Sequence, residues 1–425
     1  MSDAGLMQVL STARHIVEAG PICDSCLGSA FGRLGHGWSN EDRGRALRLL
    51  LDLDGVRGVQ GQCWICQGAF DEVNVWAERA RARVDEVEFQ TYLFAVRPTL
   101  HWQEAEALLV DRFRLAQAEP QKHAWNRTVG KAFEALVGRG TVDFEDPDVK
   151  LTVDLEAGRV DVQIASLYLY GRYRKLARGI PQTHWPCRRC RGRGCEICGG
   201  TGKQYLESVE ELAAGPFVRA ARGSGAILHG SGREDIDARM LGTGRPFVLE
   251  ILEPRVRSID PEALGHEAND ATKGKVEVSA LRFVRRGAVR LVKDTPAEKT
   301  YRAVVEFDTP VSEDGLRDAL TSLVGVIEQR TPRRVAHRRA DLVRSRRVHS
   351  VSGQLRGDRM AEIELRTDGG LYVKELVSGD EGRTEPSLAG RLGTRARVTE
   401  LDVLDIAVPD LPARSTTMDS RSRLA

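Results

Sequence analysis

All eight cysteines of this chain fall in C-x-x-C pairs, and that spacing is typical of metal ligands. The pairs form two quartets, in "CDSC" with "CWIC" and in "CRRCRGRGCEIC", whose members are Cys23, Cys26, Cys63 and Cys66, then Cys187, Cys190, Cys195 and Cys198. Two intervening residues let both thiolates of one tight turn reach the same zinc ion, and four sulfur ligands leave no position open for water. The spacing predicts structural zinc, with redox disulfides or buried free thiols as the alternative.

The second quartet differs from the first because only a short, glycine-rich loop separates its two pairs. The loop 187–198 must either close on one metal by itself or be held by the surrounding fold. Its glycines allow the tight backbone turns that closure requires. We therefore expect one or two structural zinc ions per chain, and the sequence leaves open whether the second quartet binds one.

A third group of residues that could do chemistry is a run of charges between glycines, "GSGREDIDARMLGTGRPF", at residues 230–247. Arg233, Glu234, Asp235 and Asp237 fall within five consecutive positions. A loop that only reverses the chain does not need this density of charge, so we interpret the run as part of a functional site.

Positive charge is concentrated in two segments, although the formal net charge of the whole chain is only +2. Eight arginines between Arg330 and Arg347 accompany one acidic residue, Asp341, and "YGRYRKLARGIPQTHWPCRRCRGRG" is also basic. Patches of this kind favour contact with the phosphates of a nucleic acid. A solvated helix face is the alternative.

The elements that must position these residues follow from length and pattern. With 425 residues, 41% of them hydrophobic and 29% charged, the chain is long enough for two or three globular domains. The N-terminus lacks the apolar core of a signal peptide, and no apolar run approaches the roughly 20 residues of a membrane helix. We expect a cytoplasmic protein with no membrane partner.

We divide the chain into four parts. Residues 1–70 form a helical region around the first quartet, with an N-capped helix in "SNEDRGRALRLLLDLD". Residues 71–165 alternate strands and helices as an α/β domain. Residues 166–411 hold many alternating strands and few helices, which predicts an α+β domain with a large, mostly antiparallel sheet and contains the loop 187–198. The small, polar tail 412–425 is expected to be disordered.

Three shorter segments carry local predictions. The run "AVRLV" at 288–292 is predicted as a strand. In "KTYRAVVEF", Lys299 and Tyr301 are placed just before a strand. In "GGLYVKEL", Lys374 is placed within a strand.

Read together, these segments resemble the archaeal tRNA pseudouridine synthase family that acts on uridines 54 and 55 of the T loop. "GREDIDARMLG" holds an arginine–X–aspartate core similar to that of pseudouridine synthases, and "YGRYRKLARGIPQT" resembles wording found before the catalytic domain. "VDFEDPDVKLTVDL" is similar to the end of a THUMP domain, and the N-terminal cysteine pairs match as well. The resemblance covers most of the chain, with several unrelated motifs in the family's order.

The resemblance implies a pseudouridine synthase catalytic domain with an N-terminal zinc-bearing, THUMP-like accessory domain. The partner would be tRNA, contacted at the T loop and the acceptor stem, and the enzyme would be a monomer. The reaction breaks the N1–C1′ bond, rotates the uracil and rejoins it through C5, and needs no cofactor for catalysis. Asp235 is implied as the catalytic residue, either as nucleophile or by promoting release of the base. Whether uridine 54, 55 or both react stays open.

The same resemblance implies the residues that hold the substrate. The uridine must leave the base stack and enter a pocket. Tyr301 would stack on the uracil and help to remove the C5 proton, and Lys374 would pair with the catalytic carboxylate. Val373 and Leu401 would form an apolar wall. Arg233 would clamp the phosphate of the flipped nucleotide or hold the loop.

Other functions account for fewer of these segments. A THUMP-bearing methyltransferase would need a glycine-rich cofactor loop after a strand, and a thiouridine synthase would need a pyrophosphate loop; the sequence shows neither. A non-catalytic zinc-containing tRNA-binding protein would explain the cysteines and the arginines. It would not explain the acidic loop, "KTYRAVV" and "LYVKEL" in one chain.

Overall fold

The computed structural model describes residues 3–35, 37–337 and 339–408. The predicted tail at 412–425 lies outside these residues. The chain divides into two compact units, residues 1–165 and 166–425. None of the described helices combines the length and the apolar character that crossing a membrane would require.

The first unit packs helices around a four-stranded sheet. Its described elements, in chain order, are α1 Asp3–Ala19, α2 Asp24–Ser29, α3 Asn40–Leu53, α4 Val73–Arg83, β1 Thr91–Arg97, α5 Leu100–Arg112, α6 Gln121–Val137, β2 Thr141–Val142, β3 Val149–Asp154 and β4 Arg159–Ile164. The strand order is β2-β1-β3-β4; β1 is parallel to both of its neighbours, and β4 is antiparallel to β3. The predicted N-capped helix is α3, where the hydroxyl of Ser39 accepts a hydrogen bond from the N–H of Asp42 at 3.0 Å.

One hydrophobic core joins the first cysteine quartet to the sheet. It contains the buried side chains of Cys26, Cys66, Trp125, Phe133 and Leu151. Because residues on both sides of position 70 share this core, the packing around the quartet and the packing of the sheet depend on each other.

Helices α2 and α3 cross with their backbones in close contact. A Cβ atom at Gly28 would lie 1.7 Å from the carbonyl oxygen of Asn40, and one at Gly44 would lie 1.9 Å from that of Asp24. Both obstructing atoms belong to the backbone, so they cannot move aside as a side chain would. Glycine at these two positions therefore permits the crossing that fixes α2, which carries Cys26.

The second unit is built on a ten-stranded sheet. Its described elements are β5 Leu167–Lys175, α7 Val209–Ala220, β6 Gly225–Gly230, β7 Arg239–Leu252, α8 Pro261–Ala271, β8 Val276–Val284, α9 Gly287–Asp294, β9 Glu298–Phe307, α10 Glu313–Thr321, β10 Gly325–Arg330, β11 Val343–Leu355, β12 Met360–Thr367, α11 Val373–Ser378, β13 Thr384–Glu385, α12 Leu388–Leu392 and β14 Ala396–Ala407. The strand order is β13-β10-β11-β12-β9-β14-β7-β5-β8, and β6 pairs with β7. Among the described strands of this sheet, only β14 and β7 pair in parallel. The predicted α+β fold with a large, mostly antiparallel sheet is confirmed.

Three local predictions were wrong. Residues 288–292 lie in helix α9, whose buried residues Ala288 and Val292 are four positions apart and share one helix face. A mostly apolar run of five residues does not distinguish a helix from a strand. Lys299 and Tyr301 lie inside β9 rather than before it, and Lys374 lies at the start of α11.

The crossing of α2 and α3 gives a stability prediction. Gly28→Ala is expected to destabilise the protein by about 1–3 kcal/mol, because the added methyl group overlaps the backbone of Asn40. Gly130→Ala in α6 is the matched control, since no atom lies within 4 Å of its new Cβ, and it is expected to be neutral or stabilising by about 0.5–1 kcal/mol. Urea unfolding of the full chain measures both. Equal stability of the two variants would show that the helices can separate at little cost.

Candidate active site

The charged run lies in the loop between the antiparallel strands β6 and β7, at residues 231–238. The buried ammonium group of Lys175 holds this loop. Its Nζ donates hydrogen bonds to the carbonyl oxygens of Ile180, Asp235 and Ile236 at 2.9, 3.1 and 3.2 Å. The backbone of Asp235 is therefore held without any use of its side chain.

Glu234 points into the interior of the unit. It is buried, and it accepts hydrogen bonds from Nε of Arg245 at 2.9 Å and from the hydroxyl of Tyr173 at 2.9 Å. Nζ of Lys175 lies 3.7 Å from its other oxygen. Burial alone would raise the pKa of Glu234, but the positive charges of Arg245 and Lys175 hold that pKa below its usual range. Glu234 is therefore a buried structural anion.

A cavity of about 320 Å³ opens beside the loop. All six side chains expected at the site line it, namely Asp235, Tyr301, Arg233, Lys374, Val373 and Leu401. They come from the loop, β9, α11 and β14, which are far apart in the chain. Tyr301, Val373 and Leu401 are buried and form an apolar part of the wall. Asp237 is not one of the described residues that line this cavity.

Two cations flank the carboxylate of Asp235. Nη1 of Arg334 lies 3.2 Å from Oδ2, and Nζ of Lys374 lies 3.5 Å from the same oxygen. Lys374 lies closer to Asp237, at 2.7 Å, so it bridges the two carboxylates instead of pairing with Asp235 alone. The side chain of Asp235 remains 33% exposed.

Arg334 is oriented by a buried partner. Its Nε donates a hydrogen bond to Oε1 of Glu375 at 2.7 Å, and Glu375 is buried. The guanidinium thus reaches Asp235 from a fixed position. Sequence analysis placed Arg334 only in the basic run, where nothing distinguishes it from the neighbouring arginines.

Two titratable groups on β9 line the cavity. Burial raises the pKa of Tyr301 to about 12, so its phenol is neutral at neutral pH. Among the described residues the Tyr301 hydroxyl has no hydrogen-bond partner, which leaves it available to a ligand. Burial, together with the charge of Arg245, lowers the pKa of Lys299 to about 8.

A third buried carboxylate ties the end of the loop to the neighbouring strand. Asp402 on β14 accepts hydrogen bonds from Arg178, Arg239 and Arg302 at 2.8, 2.8 and 2.9 Å. Burial would raise the pKa of Asp402, but these arginines lower it to about 2. Because Arg239 is the first residue of β7 and Leu401 precedes Asp402 on β14, the cluster holds the loop against the apolar wall.

Each cysteine quartet brings its four sulfur atoms together, within 4.8 Å of one another. Sγ–Sγ distances are 3.7 Å for Cys23 and Cys66 and 3.9 Å for Cys190 and Cys198. A disulfide would require about 2.05 Å. A tetrahedral zinc ion with Zn–S bonds of about 2.3 Å would separate its sulfur ligands by about 3.8 Å. Both quartets can therefore hold a metal ion.

The second quartet closes within its own loop. The N–H of Cys187 donates a hydrogen bond to the carbonyl oxygen of Gly202 at 2.7 Å. Gly202 has a φ of +70°, and a Cβ there would lie 2.3 Å from the carbonyl oxygen of Gly192. The glycines thus allow both ends of the loop to meet, as closure around one metal requires.

Comparison with known proteins gives matches to both units. A family model described as "Pus10, C-terminal" matches residues 168–407, and one described as "Pus10 THUMP domain, archaeal" matches residues 76–154. The curated "tRNA pseudouridine synthase Pus10" of Methanothrix thermoacetophila is 47% identical over 94% of this chain and 94% of its own length. The protein of the same name from Halorubrum lacusprofundi is 46% identical over 96% of this chain and 98% of its own length.

The chain belongs to the Pus10 family. Membership makes it a pseudouridine synthase, which is an isomerase, and confirms the predicted family and enzyme class. The match to the Pus10 C-terminal domain spans the strands of the ten-stranded sheet, so the cavity beside Asp235 belongs to that domain.

In this Pus10 domain the neighbouring residues Glu234 and Asp235 are expected to contribute differently to the free energy of unfolding. Glu234→Gln is expected to lower the free energy of unfolding by about 3–5 kcal/mol, because it leaves Arg245 and Lys175 buried without their anion. Asp235→Asn is the matched control and is expected to change it by less than about 1 kcal/mol, because its ion pairs are partly exposed. Urea unfolding measures both. Equal losses would contradict the structural role of Glu234.

Proposed function

We propose that this Pus10 family member converts uridine to pseudouridine in the T loop of tRNA, at position 54, 55 or both, with Asp235 as the catalytic residue. Relatives that align with more than nine-tenths of the chain carry the name tRNA pseudouridine synthase. The observation that carries the role of Asp235 is its exposure. Of the two carboxylates that line the cavity, Glu234 is consumed by a buried ion pair and Asp235 remains 33% exposed.

The cavity suits one nucleotide that has left the base stack. Its volume of about 320 Å³ lies at the lower end of the range for small-ligand sites. The ring of Tyr301 and the side chains of Val373 and Leu401 offer an apolar surface to the uracil. Extrusion of the base costs a few kcal/mol, which contacts in the pocket must offset.

The chemistry needs one carboxylate in contact with the substrate. The N1–C1′ bond breaks, the uracil rotates, a C5–C1′ bond forms, and the proton lost from C5 is balanced by one gained at N1. Asp235 acts as the nucleophile or promotes release of the base, and both routes place its charge beside the reacting carbons. Arg334 and Lys374 orient that charge before the substrate arrives. The neutral phenol of Tyr301 contributes stacking and a hydroxyl that can relay the C5 proton.

Exposed cations in and near the cavity would contact the phosphates of the RNA. Arg233 is exposed at the mouth of the cavity, and among the described residues it forms no ion pair. We assign it to the phosphate of the extruded nucleotide. The other arginines between Arg330 and Arg347 would contact phosphates further along the RNA, and this contact makes binding salt-dependent.

The first unit would bind the tRNA through its THUMP domain, at the acceptor stem. Each cysteine quartet would hold one structural zinc ion, because four thiolates at tetrahedral spacing complete its coordination. Zinc in such closed sites stabilises the local fold and takes no part in the isomerisation. The monomeric state and the cytoplasmic location stay predictions.

Metal analysis tests the zinc assignment. Purified full-length protein is expected to contain about two zinc ions per chain, and Cys23→Ser and Cys187→Ser are each expected to reduce the count by about one. Inductively coupled plasma mass spectrometry measures the count. A value near one in the wild-type protein, unchanged by Cys187→Ser, would remove zinc from the second quartet.

Product mapping on tRNA tests the catalytic assignment. Asp235→Asn is expected to lower pseudouridine formation by at least about 10³-fold while changing tRNA affinity by less than about threefold, because the carboxylate is needed for the bond changes and not for docking. Unmodified tRNA transcript is incubated with enzyme, and pseudouridine is located by carbodiimide treatment and primer extension.

Asp237→Asn is the control for this experiment, since Asp237 shares Lys374 with Asp235 but does not line the main cavity. It is expected to keep most of the activity. Product formation by Asp235→Asn at the wild-type rate would refute the catalytic role. Product at a uridine outside the T loop would refute the proposed target, and no product from the wild-type protein would favour the non-catalytic alternative.

A further inference from the structure

A second, smaller cavity of about 210 Å³ lies next to the first. It shares Arg233, Asp235 and Lys374 with the larger cavity. The smaller cavity is also lined by residues that do not line the larger one, among them Pro181 and Trp185. The two cavities are therefore adjacent, with Asp235 on the wall that they share, and we call the smaller one the depression.

Trp185 lines this depression, and hydrogen bonds hold the chain in place before and after it. On one side, the buried amide of Gln182 donates a hydrogen bond to the carbonyl oxygen of Gly232 in the Asp235 loop, at 3.0 Å. On the other side, the carbonyl oxygen of Trp185 accepts a hydrogen bond from the N–H of Gln204 at 2.9 Å, across the base of the second cysteine loop. The indole also packs edge-on against Tyr205, with ring centroids 5.7 Å apart. The segment that leads into the second cysteine loop thus presents a fixed, partly exposed indole to the site.

The guanidinium of Arg233 lies over the indole of Trp185. Its guanidinium carbon lies 5.6 Å from the centroid of the Trp185 ring. The other cations shared by the two cavities are committed to carboxylates, Arg334 to Glu375 and Lys374 to Asp237. Because Arg233 is exposed and forms no ion pair among the described residues, it can leave the indole without breaking a salt bridge.

We infer that this depression is a second nucleotide subsite, in which Trp185 stacks on the base of a nucleotide adjacent in sequence to the target uridine. The inference rests on the proposed function. When RNA binds, Arg233 turns from the indole to the phosphate between the two nucleotides, and the base takes its place on the ring. Stacking of a nucleobase on an aromatic side chain is stronger than an exposed cation–π contact, so the exchange is favourable. Trp185 is therefore a positioning residue that holds the RNA strand while the target is extruded.

A thermodynamic cycle between protein and RNA tests the subsite. Trp185→Ala is expected to lower kcat/KM on ordinary tRNA by about 5- to 150-fold, the effect of losing one base stack. The same measurement is made on tRNAs assembled by ligation that carry one abasic nucleotide, either 5′ or 3′ of the uridine that the wild-type enzyme converts. At one of these two positions Trp185→Ala is expected to cause no further loss, because the contact that it removes is already gone.

Two controls separate this role from a structural one. Ile197→Ala alters a large apolar side chain of the second cysteine loop, 71% exposed and outside both cavities, and is expected to behave as wild type on every substrate. Trp185→Phe keeps an aromatic face and is expected to restore most of the activity on ordinary tRNA. Zinc content and thermal stability of Trp185→Ala are expected to match the wild-type protein.

The outcomes distinguish the two proposals. If the wild-type enzyme converts a T-loop uridine and the losses from Trp185→Ala and from the abasic nucleotide multiply at both positions, the subsite is refuted and the proposed function stands. If the wild-type enzyme forms no pseudouridine in tRNA, the proposed function fails and the subsite fails with it. Loss of the Trp185→Ala effect at one neighbouring position supports the subsite and identifies which neighbour is stacked.

Discussion

The buried ion pair between Glu234 and Arg245 is the interaction on which the site depends. Neither side chain exposes more than 1% of its surface, so each charge has lost its water and relies on the other. The hydroxyl of Tyr173 also donates a hydrogen bond to Glu234, and Lys175 lies nearby and donates hydrogen bonds to the backbone of the same loop. A loop anchored by a neighbouring carboxylate leaves the carboxylate of Asp235 free to face the cavity.

The cations around Asp235 are oriented by the fold and not by Asp235 itself. Arg334 is bonded to the buried Glu375, and Lys374 is bonded to Asp237. Reorientation of charged groups is a large part of the barrier for a reaction in water, and a site whose charges are already in place avoids that cost. Asp402 and its three arginines extend the same principle to the strand that carries Leu401.

The two cysteine quartets differ in how the surrounding protein holds them. The first is embedded in the hydrophobic core of its unit, so a metal ion bound there would hold the same segment that apolar packing holds. In the second, Cys195 and Cys198 are partly exposed, and the loop is held by glycine turns and backbone hydrogen bonds around the sulfur atoms. Because this loop buries so little apolar surface, a metal ion bound by its four thiolates would order it. Such ordering would link the second quartet to Trp185 and so to the depression beside Asp235.

Features that depend on neighbours in the chain could be predicted from the sequence. The C-x-x-C spacing brings two ligands to one metal, the serine before α3 caps that helix, and alternation in residues 166–411 predicts antiparallel strands. The charge density of the acidic loop predicts that it belongs to a functional site. Each of these patterns spans only a few residues, and the forces that it reflects are local.

Only the tertiary structure decided which charges meet. Arg334 and Asp235 are 99 residues apart in the chain, and Lys374 and Asp237 are 137 apart. No pattern within the sequence singles out Arg334 among its neighbouring arginines, or shows that Glu234 is buried while Asp235 is not. The prediction of a strand at residues 288–292 was wrong for the same reason. The two residues of α9 that are buried, Ala288 and Val292, are buried because they pack against the sheet. Electrostatic and packing energies depend on distance in space, and the order of strands in the ten-stranded sheet sets those distances.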